Sequence, residues 1–323
     1  MNLEQLDSSI KNSKSILINS HINPDGDTLG SMCALNLLIK DNYKKKSDML
    51  VVSKIPETYE FLPEIKNSIH IENFNFSREY DLVIFADVAS IDRSADAASI
   101  IDKVKYSINI DHHETNNNYA DLNIVNPSAS ATGEVICEMA ENMNWKISSD
   151  CAKCLYTAIL TDTGGFKFSN TKPQTLKYAS SLISLGANPN DIYQKCYESY
   201  SKNMVLFQSY CVGKAIFSDN DKIAYTIVYK KDLEKFHNNG EDFTDGLTEK
   251  LRAINTTEVA FVIKELNPAT SKVSMRSKNI NVAEICSKFG GGGHKLAAGS
   301  VIKAKPDKAA EMILEQIRKQ VQC

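Results

Sequence analysis

The chain has 323 residues, of which 42% are hydrophobic and 24% are charged. This is an ordinary composition for globular protein, and the length is enough for two domains. No apolar run approaches the roughly 20 residues that span a bilayer, and the N-terminal stretch is polar and acidic rather than a secretory signal. We therefore expect a cytoplasmic protein with no membrane partner.

The net charge of −3 is unevenly distributed. From Leu206 onward there are 18 Lys and Arg against 14 Asp and Glu, a net charge of +4, whereas the preceding part has 19 against 26, or −7. A mildly basic second part suits an anionic substrate. It is too weakly basic to track long duplexes, which requires many phosphate contacts.

The eight cysteines lie mostly in apolar, helix-like contexts. In a cytosolic chain of this size we interpret them as reduced thiols. Cys151 and Cys154 form a CxxC pair, but no second CxxC or nearby His completes a zinc set. Their spacing instead places both thiols on one face of a helix.

The first part alternates strands and helices, which predicts a doubly wound parallel sheet. Apolar runs predict strands over residues 15–20, 48–53, 81–86 and 106–110. Helical periodicity predicts helices over residues 3–13, 26–39, 94–103, 132–142, 148–160 and 173–185. Thr132 is placed to cap its helix through its hydroxyl.

The second part predicts a smaller α/β domain with a mixed sheet. One helix over residues 191–210 is expected to bridge into it. Predicted strands cover residues 212–217, 223–229, 258–266 and 272–276, and predicted helices cover residues 243–254, 282–288 and the stretch from 306. The resulting domains are residues 1–186, a helical linker 187–210, and residues 211–323.

Three predicted strands in the first part run directly into ionisable side chains. In a parallel sheet, functional groups gather just beyond the carboxyl ends of the strands. We therefore expect one rim to carry His21, Asp25, Asp27, Asp87, Asp111, His112 and His113.

This rim has the chemistry of a two-metal site. Carboxylates, imidazoles and a shared carboxylate suit divalent cations such as Mn²⁺ or Mg²⁺. The set is His21, Asp25, Asp27, Asp87, His112 and Asp162. Two such ions about 3.5–4 Å apart clamp a phosphoryl group and acidify a bridging water. Singly, Asp27 could cap a helix and His113 could be a core histidine, but the cluster as a whole indicates metal.

A second group of candidate residues lies near the C-terminus. Gly290 to Gly293 precede His294, and successive glycines let backbone N–H groups cradle an anion. A plain flexible loop is the alternative. Arg276 and Ser277, at a strand end, could hold a second phosphate or a sugar edge, although a surface salt bridge would also explain Arg276.

Together these motifs resemble the DHH-family phosphoesterases that carry a DHH-associated C-terminal domain. Within that family the chain is most like the branch that combines oligoribonuclease (nanoRNase) and pAp phosphatase activities. The resemblance covers nearly the whole chain. The resemblance rests on the following motifs: His21-Ile-Asn-Pro-Asp25-Gly-Asp27, Asp87, Asp111-His112-His113, Asp162-Thr-Gly-Gly, Gly291-Gly-Gly-His294 and Ala297-Ala-Gly299.

The resemblance implies a role for each residue. His21 and Asp25 would bind one metal, Asp27, His112 and Asp162 the other, and Asp87 would bridge both. Asp111 would support these ligands from behind. His113 would contact the substrate phosphate and could help to protonate the leaving oxygen.

The implied substrate contacts continue into the second domain, with a cleft between the domains. They are Arg276, Ser277, Gly291, Gly292, Gly293 and His294. Arg93, six residues after Asp87, is a further residue near the rim that could touch substrate.

The implied reaction is 5′ to 3′ degradation of very short single-stranded RNA, together with removal of the 3′-phosphate from adenosine 3′,5′-bisphosphate (pAp). Two divalent ions are implied, Mn²⁺ ahead of Mg²⁺, and a homodimer could form. Similar stand-alone enzymes hydrolyse cyclic di-AMP or its linear product pApA, which is the nearest alternative.

Two other functions agree less well with the sequence. A manganese pyrophosphatase shares the first-domain motifs but should lack the Gly-rich loop with its histidine. A nucleotide- or RNA-binding module without catalysis is also conceivable, since the DHH-associated domain is an RNA-contacting appendage of alanyl-tRNA synthetase. The complete ligand set argues against it, because unused buried carboxylates would repel one another.

Overall fold

The computed structural model describes residues 2–238 and 242–321. The chain divides into two compact units, Met1–Ser199 and Tyr200–Cys323. No helix within the described residues is both long enough and apolar enough to cross a bilayer.

The first unit contains a parallel six-stranded sheet with the strand order β3-β2-β1-β4-β5-β6. Its strands are β1 (Ile16–Asn19), β2 (Asp48–Val51), β3 (Ile69–His70), β4 (Leu82–Ala86), β5 (Tyr106–Asp111) and β6 (Leu122–Val125). Its helices are α1 (Leu3–Asn12), α2 (Gly26–Tyr43), α3 (Thr132–Asn142), α4 (Ser149–Asp162), α5 (Pro173–Ser184) and α6 (Pro189–Tyr197).

The order of this sheet reverses between β1 and β4, its central strands. Both are buried along their whole length, as expected for parallel strands covered on both faces. A reversal of strand order opens a crevice at the carboxyl ends, where ligands bind in such folds. The predicted fold class is confirmed, and the predicted rim lies at this reversal.

Two strands were missed by the pattern of apolar residues. β3 has only two residues, and β6 alternates buried and half-buried positions as it pairs with β5. A two-residue strand carries little sequence signal, and in β6 the polar Asn123 interrupts the apolar run.

The segment predicted as a helix over residues 94–103 is instead a 3₁₀ stretch over Ile91–Ile100, broken at Ala95 with φ 49° and ψ −136°. Two long-range hydrogen bonds join it to the end of β1 and to the residues that follow β1. The Ile22 N–H donates to the Arg93 carbonyl (2.8 Å), and the Asn19 side chain donates to the Ser94 hydroxyl (2.9 Å). These long-range bonds replace the regular ladder of an α-helix.

Helices α2 and α4 approach each other very closely at Gly30. A Cβ built there would lie 2.6 Å from the Cys154 carbonyl oxygen and 3.1 Å from the Ala158 Cβ. This packing holds the start of α2, with Asp27, beside the end of α4, with Asp162. The same interface buries Cys33 and Cys154 completely.

The described cysteines are all free thiols, in agreement with the prediction, and Cys323 lies outside the described residues. Burial raises the pKa of the Cys151 and Cys154 thiols well above its usual value. Among the described residues no metal-competent group includes a cysteine, so the CxxC pair belongs to the core.

The second unit contains a mixed sheet, as predicted, with the order β11-β12-β10-β9-β8-β7. Only its β8–β9 pair is parallel within the described residues. Its elements are α7 (Lys202–Gly213), β7 (Ile216–Ser218), β8 (Ile223–Val228), α8 (Lys230–Lys235), α9 (Leu247–Arg252), β9 (Val259–Asn267), β10 (Thr270–Ser277), α10 (Val282–Ser287), β11 (Gly292–His294), β12 (Ala297–Ile302) and α11 (Pro306–Val321).

Hydrophobic residues pack against both faces of the central strands of this second sheet. Alternate residues of β9 point to opposite faces: Phe261 packs in the core that includes Ile313 of α11, and Val262 packs in the core that includes Phe207 of α7. The sheet therefore separates two small hydrophobic cores within this unit.

Three predicted element boundaries in this part were wrong. The single helix over residues 191–210 is two helices, because Ser201 caps α7 by accepting a hydrogen bond from the Met204 N–H (3.1 Å). Val212 belongs to α7, so the strand predicted from 212 starts at Ile216. The helix predicted over 243–254 is shorter, Leu247–Arg252.

The glycine-rich run is also more ordered than the flexible loop that was considered. Gly292–His294 forms edge strand β11, which pairs antiparallel with β12. At Gly293 φ is +142°, and a Cβ there would lie 2.5 Å from the Ala297 carbonyl oxygen. Glycine is required because the two backbones approach so closely.

Replacing Gly30 by alanine tests the helix contact. Helix propensity alone predicts a gain of about 1 kcal/mol, whereas the clash with the Cys154 carbonyl predicts a net loss of about 1–3 kcal/mol. Urea unfolding followed by the fluorescence of Trp145, the single tryptophan, which packs against Tyr43, reports on this unit. Ser180→Ala, on the exposed face of α5, is the control and should change stability by less than about 0.5 kcal/mol. An unchanged or raised stability for Gly30→Ala would refute the close contact.

Candidate metal centre

The ends of β1, β4 and β5 bring the predicted ligands together. The structure forms three overlapping groups whose ligand atoms lie within 4.8 Å of one another: His21, Asp25 and Asp87; Asp87, His112 and His113; and Asp27, His112 and Asp162. Below, the first is called the His21 group and the third the Asp27 group.

Asp87 lies between these groups and is 2% exposed. Its Oδ2 is 3.5 Å from His21 Nε2, and its Oδ1 is 3.9 Å from His112 Nε2 and 3.5 Å from His113 Nδ1. Its backbone has φ 62° and donates from N–H to the Ile110 carbonyl (2.9 Å). A left-handed conformation is uncommon for a non-glycine residue, and here it aims one carboxylate at two sets of histidines.

Thr28 connects the members of the His21 group through one hydroxyl. Its Oγ1 is 2.7 Å from His21 Nε2, 3.1 Å from Asp25 Oδ1 and 2.7 Å from Asp87 Oδ2. Asp25 also caps α2 by accepting from the Thr28 N–H (3.0 Å). The capping role that was considered for Asp27 therefore belongs to Asp25.

The other ring nitrogen of His21 fixes its tautomer. His21 Nδ1 is 2.7 Å from the Ile22 carbonyl oxygen, which can only accept a hydrogen bond. The proton of the neutral ring therefore sits on Nδ1, and Nε2 keeps its lone pair. This is the arrangement found for histidines that bind metals.

Asp27 is held by the N-terminus of α3. It accepts hydrogen bonds from the backbone N–H groups of Thr132 (2.7 Å) and Gly133 (3.0 Å) and from the Ser31 hydroxyl (3.2 Å). A helix N-terminus favours a negative charge. Burial nevertheless raises the pKa of Asp27 well above its usual value, and repulsion from Asp87 and Asp162 adds to this shift.

Thr132 is not the helix cap that was predicted. Ala131 occupies the cap position of α3, and the Thr132 hydroxyl donates to Asp87 Oδ1 (3.0 Å). The side chain therefore holds the Asp87 carboxylate and does not cap its own helix.

Asp111 is fully buried behind the histidines. It accepts hydrogen bonds from the His112 N–H (2.8 Å), from His113 Nδ1 (2.7 Å) and from the Asn116 amide (2.5 Å). The bond from Nδ1 leaves His113 Nε2 as the nitrogen available to a substrate. Although burial lowers the pKa of His113, the bond to Asp111 and the charge of Asp87 raise it to about 9.

A buried amide network continues below Asp111. The Asn116 amide also donates to Asn109 Oδ1 (2.6 Å), and the Asn109 amide donates to the carbonyls of Phe85 (3.3 Å) and Val88 (3.1 Å). The residues on either side of the Asp87 turn are thus tied to the Asp111 carboxylate.

His112 completes the Asp27 group. Its Nε2 lies 3.7 Å from Asp27 Oδ2 and 3.5 Å from Asp162 Oδ2, and its Nδ1 lies 3.4 Å from the Ala129 carbonyl oxygen. Burial and the charges of Asp87 and Asp25 raise the pKa of Asp162 to about 6, against an opposing effect of His112.

The charge of this cluster fits a bound cation. Asp25, Asp27, Asp87 and Asp162 have no Lys or Arg ion-pair partner within residues 2–238 and 242–321; the ion-pair contacts of Asp27, Asp87 and Asp162 are with histidines alone. Burying several carboxylates without a cation is costly. For Asp87, burial raises the pKa, yet the nearby His21, His113 and His112 together hold it below its usual range.

Arg93 lies at the same rim. Its backbone accepts from the Ile22 N–H (2.8 Å), and its positive charge opposes protonation of His113, so it lowers that pKa. Within the described residues its guanidinium has no hydrogen-bond or ion-pair partner.

The predicted substrate-binding residues of the second unit differ in how accessible they are. Arg276 Nε donates to Glu249 Oε1 (2.6 Å), the salt bridge that was considered as its alternative role. The Ser277 hydroxyl is buried and donates to the Ile280 carbonyl, which leaves it unavailable to a substrate in this conformation. Gly292, Gly293 and His294 are exposed, and among the described residues His294 joins no metal-competent group.

Fold and site together define a member of the DHH family, and the sequence comparisons agree. Residues 15–159 match the DHH family N-terminal domain, and residues 220–322 match the DHHA1 domain. The chain belongs to the DHH family.

Relatives with known names resemble the chain over most of its length. It is 30% identical over 298 residues to the bifunctional oligoribonuclease and PAP phosphatase NrnA of Bacillus subtilis, covering 89% of each chain. It is 29% identical over 313 residues to the protein of the same name from Thermus thermophilus, covering 95% of this chain and 90% of the relative. These relatives confirm the family branch suggested by the motifs.

A solved structure shares the fold. The crystal structure of an exopolyphosphatase-related protein from Bacteroides fragilis matches with a TM-score of 0.92 and 24% identity, covering 98% of this chain and 95% of that one. This likeness supports the architecture and not a particular substrate.

Thr28→Val should destabilise the metal-free protein by about 1–3 kcal/mol, because it removes the hydroxyl that contacts His21, Asp25 and Asp87 while keeping the side-chain shape. Thr28→Ser, which keeps the hydroxyl, is the matched control and should lose less. Urea unfolding in the presence of a chelator measures both variants. A stability of Thr28→Val within about 0.5 kcal/mol of wild type would show that the hydroxyl does not organise the site.

Proposed function

We propose that this protein is a metal-dependent phosphoesterase that hydrolyses very short RNA oligomers from the 5′ end and removes the 3′-phosphate of pAp. The observation that carries the proposal is that the buried Asp87 carboxylate belongs to the His21 group and also lies 3.9 Å from His112 Nε2, a member of the Asp27 group. The names of the relatives, oligoribonuclease and PAP phosphatase, supply the substrate class.

The His21 and Asp27 groups are the proposed sites for two divalent cations, with Asp87 shared between them. Mixed imidazole and carboxylate donors suit Mn²⁺ ahead of Mg²⁺, which prefers oxygen ligands alone. When bound, such ions supply Lewis acidity toward the phosphoryl oxygens and toward the attacking water.

The chain's own residues orient the reaction. Asp111 accepts a hydrogen bond from Nδ1 of His113. Nε2 of the same ring is therefore left to contact a phosphate oxygen or the leaving oxygen. Thr28 and Thr132 hold the two oxygens of Asp87 in fixed directions. Such positioning keeps the donors in place before substrate arrives, which lowers the cost of reaching the transition state.

Arg93 is proposed to bind a substrate phosphate. Its guanidinium is a planar donor suited to oxyanions, it is near His113, and no described residue neutralises it. In the second unit, Arg276 and the Gly291–His294 segment are proposed to hold the rest of the substrate. A cytoplasmic location and a homodimer remain predictions from the sequence.

Asp87→Ala should abolish activity while the fold survives, because it removes both the proposed shared ligand and a source of charge repulsion. Phosphate release from pAp with Mn²⁺ measures the effect, and circular dichroism checks the fold. Asp92→Ala, an exposed carboxylate nearby, is the matched control and should keep activity. If folded Asp87→Ala kept more than about a tenth of wild-type kcat, equivalent to losing under ~1.4 kcal/mol, the shared-ligand role would be untenable.

The preference for short substrates can be tested with 5′-labelled single-stranded RNAs at fixed Mn²⁺ and fixed salt. We expect kcat/KM to be highest for oligomers of a few nucleotides, because the net charge of +4 from Leu206 onward offers few contacts for additional phosphates. Cyclic di-AMP, pApA and pyrophosphate belong in the same panel, since preference for one of them would replace the proposed substrate. An equal or higher kcat/KM for a 24-mer than for a trimer would indicate a processive nuclease instead.

A further inference from the structure

Asp162 is the least supported carboxylate of the Asp27 group. Asp27 accepts three hydrogen bonds, whereas the Asp162 carboxylate accepts none from the described residues, among which its ion-pair contact is His112, at 3.5 Å. Its side chain is 31% exposed. It is also the last residue of α4, where the helix dipole disfavours a negative charge. The support that the structure gives Asp162 comes through its backbone carbonyl, which accepts a side-chain hydrogen bond.

Asn170 provides that backbone support. Its side-chain amide donates to the Asp162 carbonyl (3.1 Å) and to the Ser130 carbonyl (3.0 Å). Its Oδ1 is buried without a hydrogen-bond partner in the described structure. The opposite orientation of the amide would place Oδ1 against two carbonyl oxygens, so only the NH₂ group can face them. One side chain thus joins the end of α4 to the loop before α3.

The other end of this link is also fixed. Glu134, 5% exposed, accepts from the Ser130 N–H (3.1 Å), the Ser130 hydroxyl (2.5 Å) and the Thr175 hydroxyl (2.8 Å). Ser130 directly follows Ala129, whose carbonyl faces His112 Nδ1 at 3.4 Å. The loop that Asn170 holds therefore also contacts the histidine of the same group.

We propose that Asn170 is a positioning residue that sets the divalent-cation affinity of the Asp27 group and leaves the His21 group unaffected. The inference rests on the proposed function, since it assumes that both groups bind cations. Asn170 touches two segments, and each carries or contacts a ligand of the Asp27 group. Within the described residues, its amide makes no hydrogen bond to the side chain of His21, Asp25 or Asp87. Residues that orient metal ligands in this way commonly change affinity by about 10–100-fold.

Calorimetric titration with Mn²⁺ tests this without measuring activity. Wild type should bind two equivalents. Asn170→Ala should bind one with unchanged affinity and the other at least tenfold more weakly. Asn142→Ala is the matched control, because among the described residues its amide donates only to the Glu138 carbonyl of its own helix, and it should match wild type. His21→Ala removes a ligand of the His21 group, so this variant should bind one equivalent of Mn²⁺, at the Asp27 group. Adding Asn170→Ala to His21→Ala should weaken the binding of that equivalent.

The outcomes separate the inference from the function on which it rests. If Asn170→Ala bound both Mn²⁺ equivalents with wild-type affinity, or if folded Asn170→Ala bound both equally more weakly, the role of Asn170 would be overturned. The proposed metal centre would not be affected by that result. Fewer than two equivalents in wild type would overturn the proposed metal centre together with the inference. If Asn170→Ala does not fold, Asn170→Ser, which keeps a short donor, is judged by the same criteria.

Discussion

The mutual repulsion of buried carboxylates is the constraint on which the first unit depends. Asp27 and Asp87 are almost fully buried and lie close to Asp162 and Asp25, with histidines as their only ion-pair contacts among the described residues. Such a cluster is unstable unless donors surround it or cations bind it. The α3 N-terminus and two threonine hydroxyls supply donors, and the remaining negative charge suits divalent cations.

The parallel sheet determines where these charges meet. The strand order reverses between β1 and β4, and β5 lies beside β4, so three chain segments end at one edge. Close packing of α2 on α4 at Gly30 then brings Asp27 and Asp162 to the same place from the helix side. The site is therefore assembled from both layers of the fold, with Asp87 at the junction.

The sequence predicted the strand ends and their charged residues because apolar runs that stop at Asp or His leave a clear local signal. It could not predict the supporting hydroxyls and amides. Thr132 reaches Asp87 across 45 positions, and Asn170 reaches Ser130 across 40, so nothing in the local pattern reveals these partners. The same holds for the 3₁₀ stretch at Ile91–Ile100, whose hydrogen bonds to the end of β1 outweigh local helical periodicity.

The most direct measurement is the anomalous difference density of a crystal grown with Mn²⁺, collected at the manganese absorption edge. Two peaks should lie in the first unit, one bounded by His21, Asp25 and Asp87 and the other by Asp27, His112 and Asp162, with Asp87 next to both. A single peak, or peaks that do not contact Asp87, would contradict a two-metal centre built around that carboxylate.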